Sequence, residues 1–112
     1  MKKEFSLFLG AIMLFTASAA LAKMSAADIN AARSSFQSSG CSSCHSVTDS
    51  AAGPSLKAIA KRYKGKAVVA ELAERIRSGS QGRWGDMPHP AIDYLGQAEA
   101  ELMAQWILSG AR

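Results

Sequence analysis

The sequence is poor in the residues that most often build metal clusters, disulfide frameworks and catalytic sets. It has two cysteines, Cys41 and Cys44, and two histidines, His45 and His89. These four side chains are the whole thiol and imidazole stock from which a four-ligand zinc site would have to be made. No Ser/His/Asp set or paired carboxylate is poised for acid–base chemistry, and Glu99 and Glu101 fall on the surface of an expected helix. Period-2 alternation is missing, which argues against strands. Neither an internal repeat nor a low-complexity tract is present.

Long hydrophobic runs are also scarce. The apolar stretch at residues 5–20 follows Lys2 and Lys3 and is too short to span a bilayer comfortably. No basic stop-transfer flank follows it, and Ala20-Leu21-Ala22 has the small-x-small form of a signal-peptidase site. The expected organisation is therefore a cleaved leader at 1–22 and one domain at 23–112, exported to the periplasm and without a membrane span once the leader is gone. Cleavage removes Lys2, Lys3 and Glu4, leaving 11 basic and 8 acidic residues and a net charge of +3. That slight excess, with no recognition module, argues against nucleic-acid binding.

What the chain does contain is Cys41-Ser42-Ser43-Cys44-His45, the attachment sequence for c-type haem. Two thiols one helical turn apart can each add across a porphyrin vinyl group. The imidazole that follows then comes under the iron as the proximal ligand. Two other readings of Cys-x-x-Cys are a redox dithiol and half of a zinc site. The first belongs with a cytosolic βαβ unit, which this sequence lacks, and the second needs four ligands, with only His45 and His89 remaining to complete it. In an oxidising compartment a free pair would tend towards a disulfide, so attachment to haem accounts for it better. A domain of 90 residues is also small enough that a buried covalent cofactor would add to its stability. Two ionised propionates would lower the net charge to about +1.

The pattern predicts an all-α fold of short helices. Ile29, Ala32 and Phe36 share one face of a helix at about 25–38, with Asp28 in its first turn and Gly40 ending it before the motif. Pro54 suits a helix start, and Leu56, Ile59, Ala60 and Tyr63 follow at i, i+3, i+4 and i+7 until Gly65. A third helix at about 67–77 aligns Val69, Leu72 and Ile76, with Glu71 four residues before Arg75 as a supporting ion pair. Gly79, Gly82 and Gly85 mark an irregular loop. The last helix, at about 96–109, stacks Leu102 and Trp106 and stops at Gly110.

Between residues 40 and 109 the chain resembles the small class I monohaem cytochromes c of bacteria, the c-551/c-552 group. The resemblance rests on the haem motif, Gly53-Pro54, Ala60-Lys61-Arg62-Tyr63-Lys64-Gly65 and Leu72-Ala73-Glu74-Arg75-Ile76. It continues through Gly79-Ser80-Gln81-Gly82-Arg83-Trp84-Gly85 to Ala104-Gln105-Trp106-Ile107-Leu108-Ser109. It implies helices wrapped around a single low-spin haem with one edge near solvent. By the same resemblance the Pro54 carbonyl accepts the Nδ1–H of His45 and orients the ligand, a role compatible with a plain first-turn proline. Arg75 and Trp84 match positions that donate hydrogen bonds to a haem propionate; the alternatives are the Glu71 ion pair for Arg75 and core burial for Trp84. Trp106, Leu102, Phe36 and Tyr63 are read as packing around the porphyrin.

The sixth iron ligand departs from the family pattern, which places two residues after Trp-Gly and then Pro-Met-Pro. Here the text is Trp84-Gly85-Asp86-Met87-Pro88-His89-Pro90. Counted from Trp84 without gaps, His89 falls on the ligand position and Met87 two residues early. Counted back from Trp106, His89 needs one extra residue and Met87 three. Register therefore favours His89, with Met87 the alternative, and both side chains can bind haem iron. An unliganded Met87 would be a soft packing residue, and an unliganded His89 a titrating loop histidine.

The functional expectation is a monomeric, non-enzymatic periplasmic electron shuttle, exchanging electrons transiently with soluble or membrane-bound redox proteins of a respiratory chain. A haem-based small-ligand binder with a labile sixth ligand, or a secreted thiol oxidoreductase, are the alternatives. Lys57, Lys61 and Lys64 lie opposite the apolar face of their helix, near Arg62 and Lys66. They form either a solvated face or a patch that steers an acidic redox partner.

Overall fold

Two of the α-helices begin at a capping serine and one at a glycine, and together the helices leave one apolar hollow beside the Cys-x-x-Cys-His turn. The computed structural model describes residues 10–12 and 23–112. The leader expected at 1–22 lies outside the described residues except at 10–12. Helix α1 spans Ala26–Ser38, and the Asp28 N–H donates to the Ser25 hydroxyl that caps it, at 3.1 Å. Gly40, at φ 75°, makes the left-handed turn that feeds a short 3-10 helix at Cys41–Ser43. Helices α2 (Leu56–Arg62), α3 (Val69–Ser78) and α4 (Gln97–Leu108) follow. The all-helical fold class expected from the sequence is the one observed.

Helix α4 is the spine, packed against α1, α2 and α3. Towards α1 it presents Met103, Trp106 and Ile107, which form one core with Ala32, Phe36, Leu56 and Leu95. Phe36 meets Trp106 edge-on, with ring centroids 5.4 Å apart and planes at 67°. Towards α3 the contact is a seam of alanines, Ala73, Ala100 and Ala104, each fully buried. Val69, Leu72 and Ile76 flank this seam, so the apolar face read for α3 is the face that packs. Side chains this small let two helix backbones approach closely, and that approach sets how far α3 stands from the hollow.

Two local expectations and one alternative reading need correction. Pro54 is not the first helical residue: Ser55 caps α2 by accepting from the Ala58 N–H at 3.1 Å, so Pro54 stands one step before the cap. The serine hydroxyl supplies what a first-turn proline would only have tolerated, and the prolyl carbonyl is left free to serve elsewhere. Helix α2 also ends sooner than its apolar spacing implies. Tyr63 is its C-cap, and Gly65 lies beyond it at φ 74°. Core burial, the alternative weighed for Trp84, is not what is observed: the side chain is 41% exposed, and Arg62 reaches across from α2 to stack on its ring at 4.4 Å. Among the described residues no helix is long and apolar enough to cross a membrane.

The alanine seam predicts the most sensitive point of the fold. Ala104→Leu inserts three carbons where nothing can yield, and should destabilise the haem-loaded protein by about 1–3 kcal/mol in denaturant unfolding. Glu101→Leu, on the same helix but only partly buried, should cost far less.

Candidate functional site

The hollow is a cavity of about 280 Å3 lined largely by apolar side chains, among them Phe36, Leu56, Ile59, Leu72 and Ile76. Cys41, Cys44, His45, Pro54, Arg75, Trp84, Met87 and His89, all eight residues singled out in the sequence, also line it. Residues from four segments of the chain thus converge on one space.

The Cys-x-x-Cys-His turn is held by its own backbone. The N–H groups of Cys44 and His45 both donate to the Cys41 carbonyl, at 3.1 and 2.9 Å. This tight turn keeps both thiols at the cavity wall, half-buried and free of a disulfide. Burial pushes the Cys41 thiol up, an effect only partly offset by a backbone hydrogen bond and reinforced by the neighbouring Cys44. Next, the Gly53 N–H donates to the Cys44 carbonyl at 2.9 Å, folding the 46–53 loop back over the turn. That brings the Pro54 carbonyl to 2.6 Å from His45 Nδ1, where it accepts the ring proton. With Nδ1 protonated, Nε2 keeps its lone pair for a metal.

Opposite His45 stands His89. Ser80 and His89 form an antiparallel bridge, with N–H to carbonyl distances of 3.2 and 2.8 Å. His89 Nδ1 lies 2.8 Å from the Pro90 carbonyl, to which it donates. The ring centroids of His45 and His89 are 6.1 Å apart, with planes at 38°. Burial lowers the pKa of His89; the hydrogen bond to Pro90 opposes this and the charge of His45 adds to it. Met87, by contrast, is 63% exposed at the cavity lip.

Arg75 lies on the cavity wall with its guanidinium already engaged. It donates to the Tyr63 hydroxyl at 3.0 Å and to the Glu71 carboxylate one helical turn away. The ion pair weighed as its alternative is therefore present. Trp84 sits at the lip under Arg62, whose Nη1 donates to the Arg83 carbonyl at 2.6 Å. Of the four aromatic and aliphatic residues read as packing around a porphyrin, Phe36 alone lines the cavity; Trp106 backs it through their edge contact.

Three contributors carried no assigned role in the sequence. Gly53 had one visible signal, its place beside Pro54 in a short loop. Ser80 had none, since a two-residue bridge leaves no periodicity. Arg62 read only as one charge in a basic run. A zinc reading of the cysteines finds no support in the geometry, because no group of three or more His, Cys, Asp or Glu side chains is placed to hold a metal among the described residues.

Comparison with known proteins agrees with this arrangement. Residues 20–111 match the family model for cytochrome c. The chain is 41% identical over 75 residues to cytochrome c-551 of Pseudomonas aeruginosa, covering 66% of this chain and 71% of that protein. It is 42% identical over 71 residues to cytochrome c-552 of Hydrogenobacter thermophilus, covering 62% and 71%. The crystal structure of wild-type Nitrosomonas europaea cytochrome c552 superposes with a TM-score of 0.66 at 34% identity, over 70% of this chain and 98% of that one. With Cys41 and Cys44 in place to carry covalent haem c, the chain belongs to the cytochrome c family, as a bacterial class I member of the c-551/c-552 group, and is an electron carrier rather than an enzyme.

Proposed function

We propose that this protein carries single electrons between redox partners of a bacterial respiratory chain, in the periplasm, as a monomer with one haem joined to Cys41 and Cys44 and ligated by His45. The observation that carries this reading is the convergence of both thiols and the free Nε2 edge of His45 on a single apolar cavity. When bound, haem supplies an iron centre that gains and loses one electron. The chain's own contribution is to seat it, to exclude water from its faces and to fix the ligand ring.

The residues fit such a group closely. At Gly53 an added Cβ would lie 2.7 Å from His45 Cε1 and 3.1 Å from Nε2, so only glycine leaves the ligand ring its place. Phe36, Leu56, Ile59 and Ile76 offer the apolar walls a porphyrin face needs. Arg75 and Trp84 are assigned to the propionates, with Tyr63 and Glu71 holding the guanidinium in position. Charge-assisted donors of this kind would offset the cost of bringing two carboxylates against an apolar wall. Export rests on the sequence pattern of residues 1–22, and the oxidising compartment it implies suits a cysteine pair consumed by haem attachment.

The partner is assigned an acidic docking face. Lys57, Lys61, Lys64 and Lys66 are exposed on and just after α2. Arg62, on the same helix, continues the positive surface to the cavity lip by stacking on Trp84. Long-range attraction would raise the encounter rate without a large, permanent interface, which suits a shuttle that must leave again.

The protein purified from a host with haem-attachment machinery should keep haem on a denaturing gel and be reduced and reoxidised reversibly. A haem lost on denaturation, or carbon monoxide bound by the ferrous protein at neutral pH, would count against a carrier. Gly53→Ala should lower the yield of haem-loaded protein and destabilise what does load by about 1–3 kcal/mol, read from haem content and denaturant unfolding. Raising ionic strength from about 0.01 to about 0.5 M should slow electron transfer to an acidic partner roughly tenfold or more; a flat rate would leave the lysines as solvated surface.

A further inference from the structure

The loop opposite His45 is built with the same parts as the His45 side. His45 gives its Nδ1 proton to a prolyl carbonyl at 2.6 Å, and His89 gives its own to another at 2.8 Å. Each bond fixes the tautomer and leaves Nε2 as an acceptor. In both cases the orienting carbonyl belongs to a proline, whose ring restricts φ. Both histidines line the same cavity.

Their separation is compatible with joint ligation. Two imidazoles bonded to one metal ion from opposite sides, at the usual metal–nitrogen length of about 2.0 Å, have ring centres roughly 6 Å apart. The observed distance is 6.1 Å. Aromatic pairs in ordinary contact span about 4.5–7 Å, so this spacing permits joint ligation, and it is the fastening of the loop that favours it.

The backbone under His89 is also fastened. Both N–H to carbonyl bonds of the Ser80–His89 bridge hold it. Gly79, at φ +79°, lets the α3 terminus come so close that an added Cβ would lie 2.7 Å from the His89 carbonyl oxygen. Met87 has none of this support. It is 63% exposed, and no hydrogen bond of its backbone to another residue accompanies it among the described contacts.

We propose that His89 is the sixth ligand, so that this chain holds its iron between two imidazoles, with Met87 left as a packing residue at the lip. This rests on the haem-carrier reading and goes beyond it in assigning the second axial position. Replacing a thioether by a more basic nitrogen ligand favours the ferric state. The protein is therefore a carrier for a donor–acceptor pair of lower potential than a histidine–methionine iron would serve.

The test uses the full haem-loaded protein in its ferric form, by near-infrared absorption and electron paramagnetic resonance. Wild type should be low-spin and lack the sulfur-to-iron charge-transfer band in the near red. His89→Met should gain that band and raise the midpoint potential, and Met87→Ala should keep the wild-type ligand signature. A sulfur band in wild type that disappears in Met87→Ala, or a high-spin wild-type iron, overturns the assignment. Those outcomes leave the carrier function standing, provided haem stays covalently bound and cycles reversibly. Should the His89→Met protein fail to load, the wild-type spectrum and the Met87→Ala protein still decide the matter.

Discussion

The hydrogen bond from His45 Nδ1 to the Pro54 carbonyl, at 2.6 Å, is the joint on which the rest of the site depends. It ties the Cys41–His45 turn to the start of α2 across the intervening loop. Around it, the Cys44 carbonyl takes the Gly53 N–H, and the Ser46 and Val47 carbonyls take the N–H groups of Leu56 and Lys57 at 2.9 and 3.1 Å. The first-turn donors of α2, which a helix cannot satisfy internally, are thus used to hold the loop. Ser55 covers another by capping. Position of the ligand ring and stability of the helix terminus are the same set of bonds, and a change that loosens one loosens the other.

Much of this was legible in the sequence. Cys41, Cys44 and His45 announce their chemistry by spacing, and the apolar faces of α1 and α3 follow from 3.6-residue periodicity. Those signals are local, and local signals survive folding. What escaped are features made by groups far apart in the chain. Trp84 is a half-exposed lip residue whose partner, Arg62, stacks on it from 22 positions earlier, a pairing no local pattern marks. The Ser80–His89 bridge spans a glycine-rich loop, where neither alternation nor helical spacing marks a pairing. Pro54 stands before the helix rather than in it, because the hydroxyl of its neighbour Ser55 takes the cap position. Helix α4 carries a related lesson: Trp106 is buried against Phe36 behind the cavity wall, although its size suggested a place on the wall itself.

The loop at 79–90 combines freedom and restraint in an ordered way. Gly79, Gly82 and Gly85 all sit at positive φ, a conformation that costs other residues energy and that gives this segment its tight reversals. Its attachments then grade from one end to the other. At the inner end two backbone hydrogen bonds join Ser80 to His89 beneath the ring. At the outer end Arg83 is bound only by the Arg62 hydrogen bond to its carbonyl and a marginal, solvent-screened approach to Glu71 at 4.0 Å. The Arg62–Trp84 stack is partly exposed and adds on the order of 0.5–1 kcal/mol. A loop fastened in this pattern gives way first at Trp84 and Met87 and last at His89.

That gradient bears on how an electron carrier of this size can be firm about its metal and still adaptable at its rim. Ligand geometry must change little when an iron gains or loses an electron, or reorganisation would slow the exchange. The two prolyl carbonyls, the Ser80 bridge and the glycine clearance at Gly53 and Gly79 all act on that inner zone. The lip has the opposite requirement, since partners must meet it in varied orientations and part quickly. Exposed Met87, the Arg62-covered Trp84 and the lysines of α2 would offer the proposed partner soft, cationic and individually weak contacts there. On the proposed ligation, an imidazole inside and a thioether outside would give the rigid zone the group that a hydrogen bond can orient, and leave the adaptable rim the side chain best suited to packing loosely.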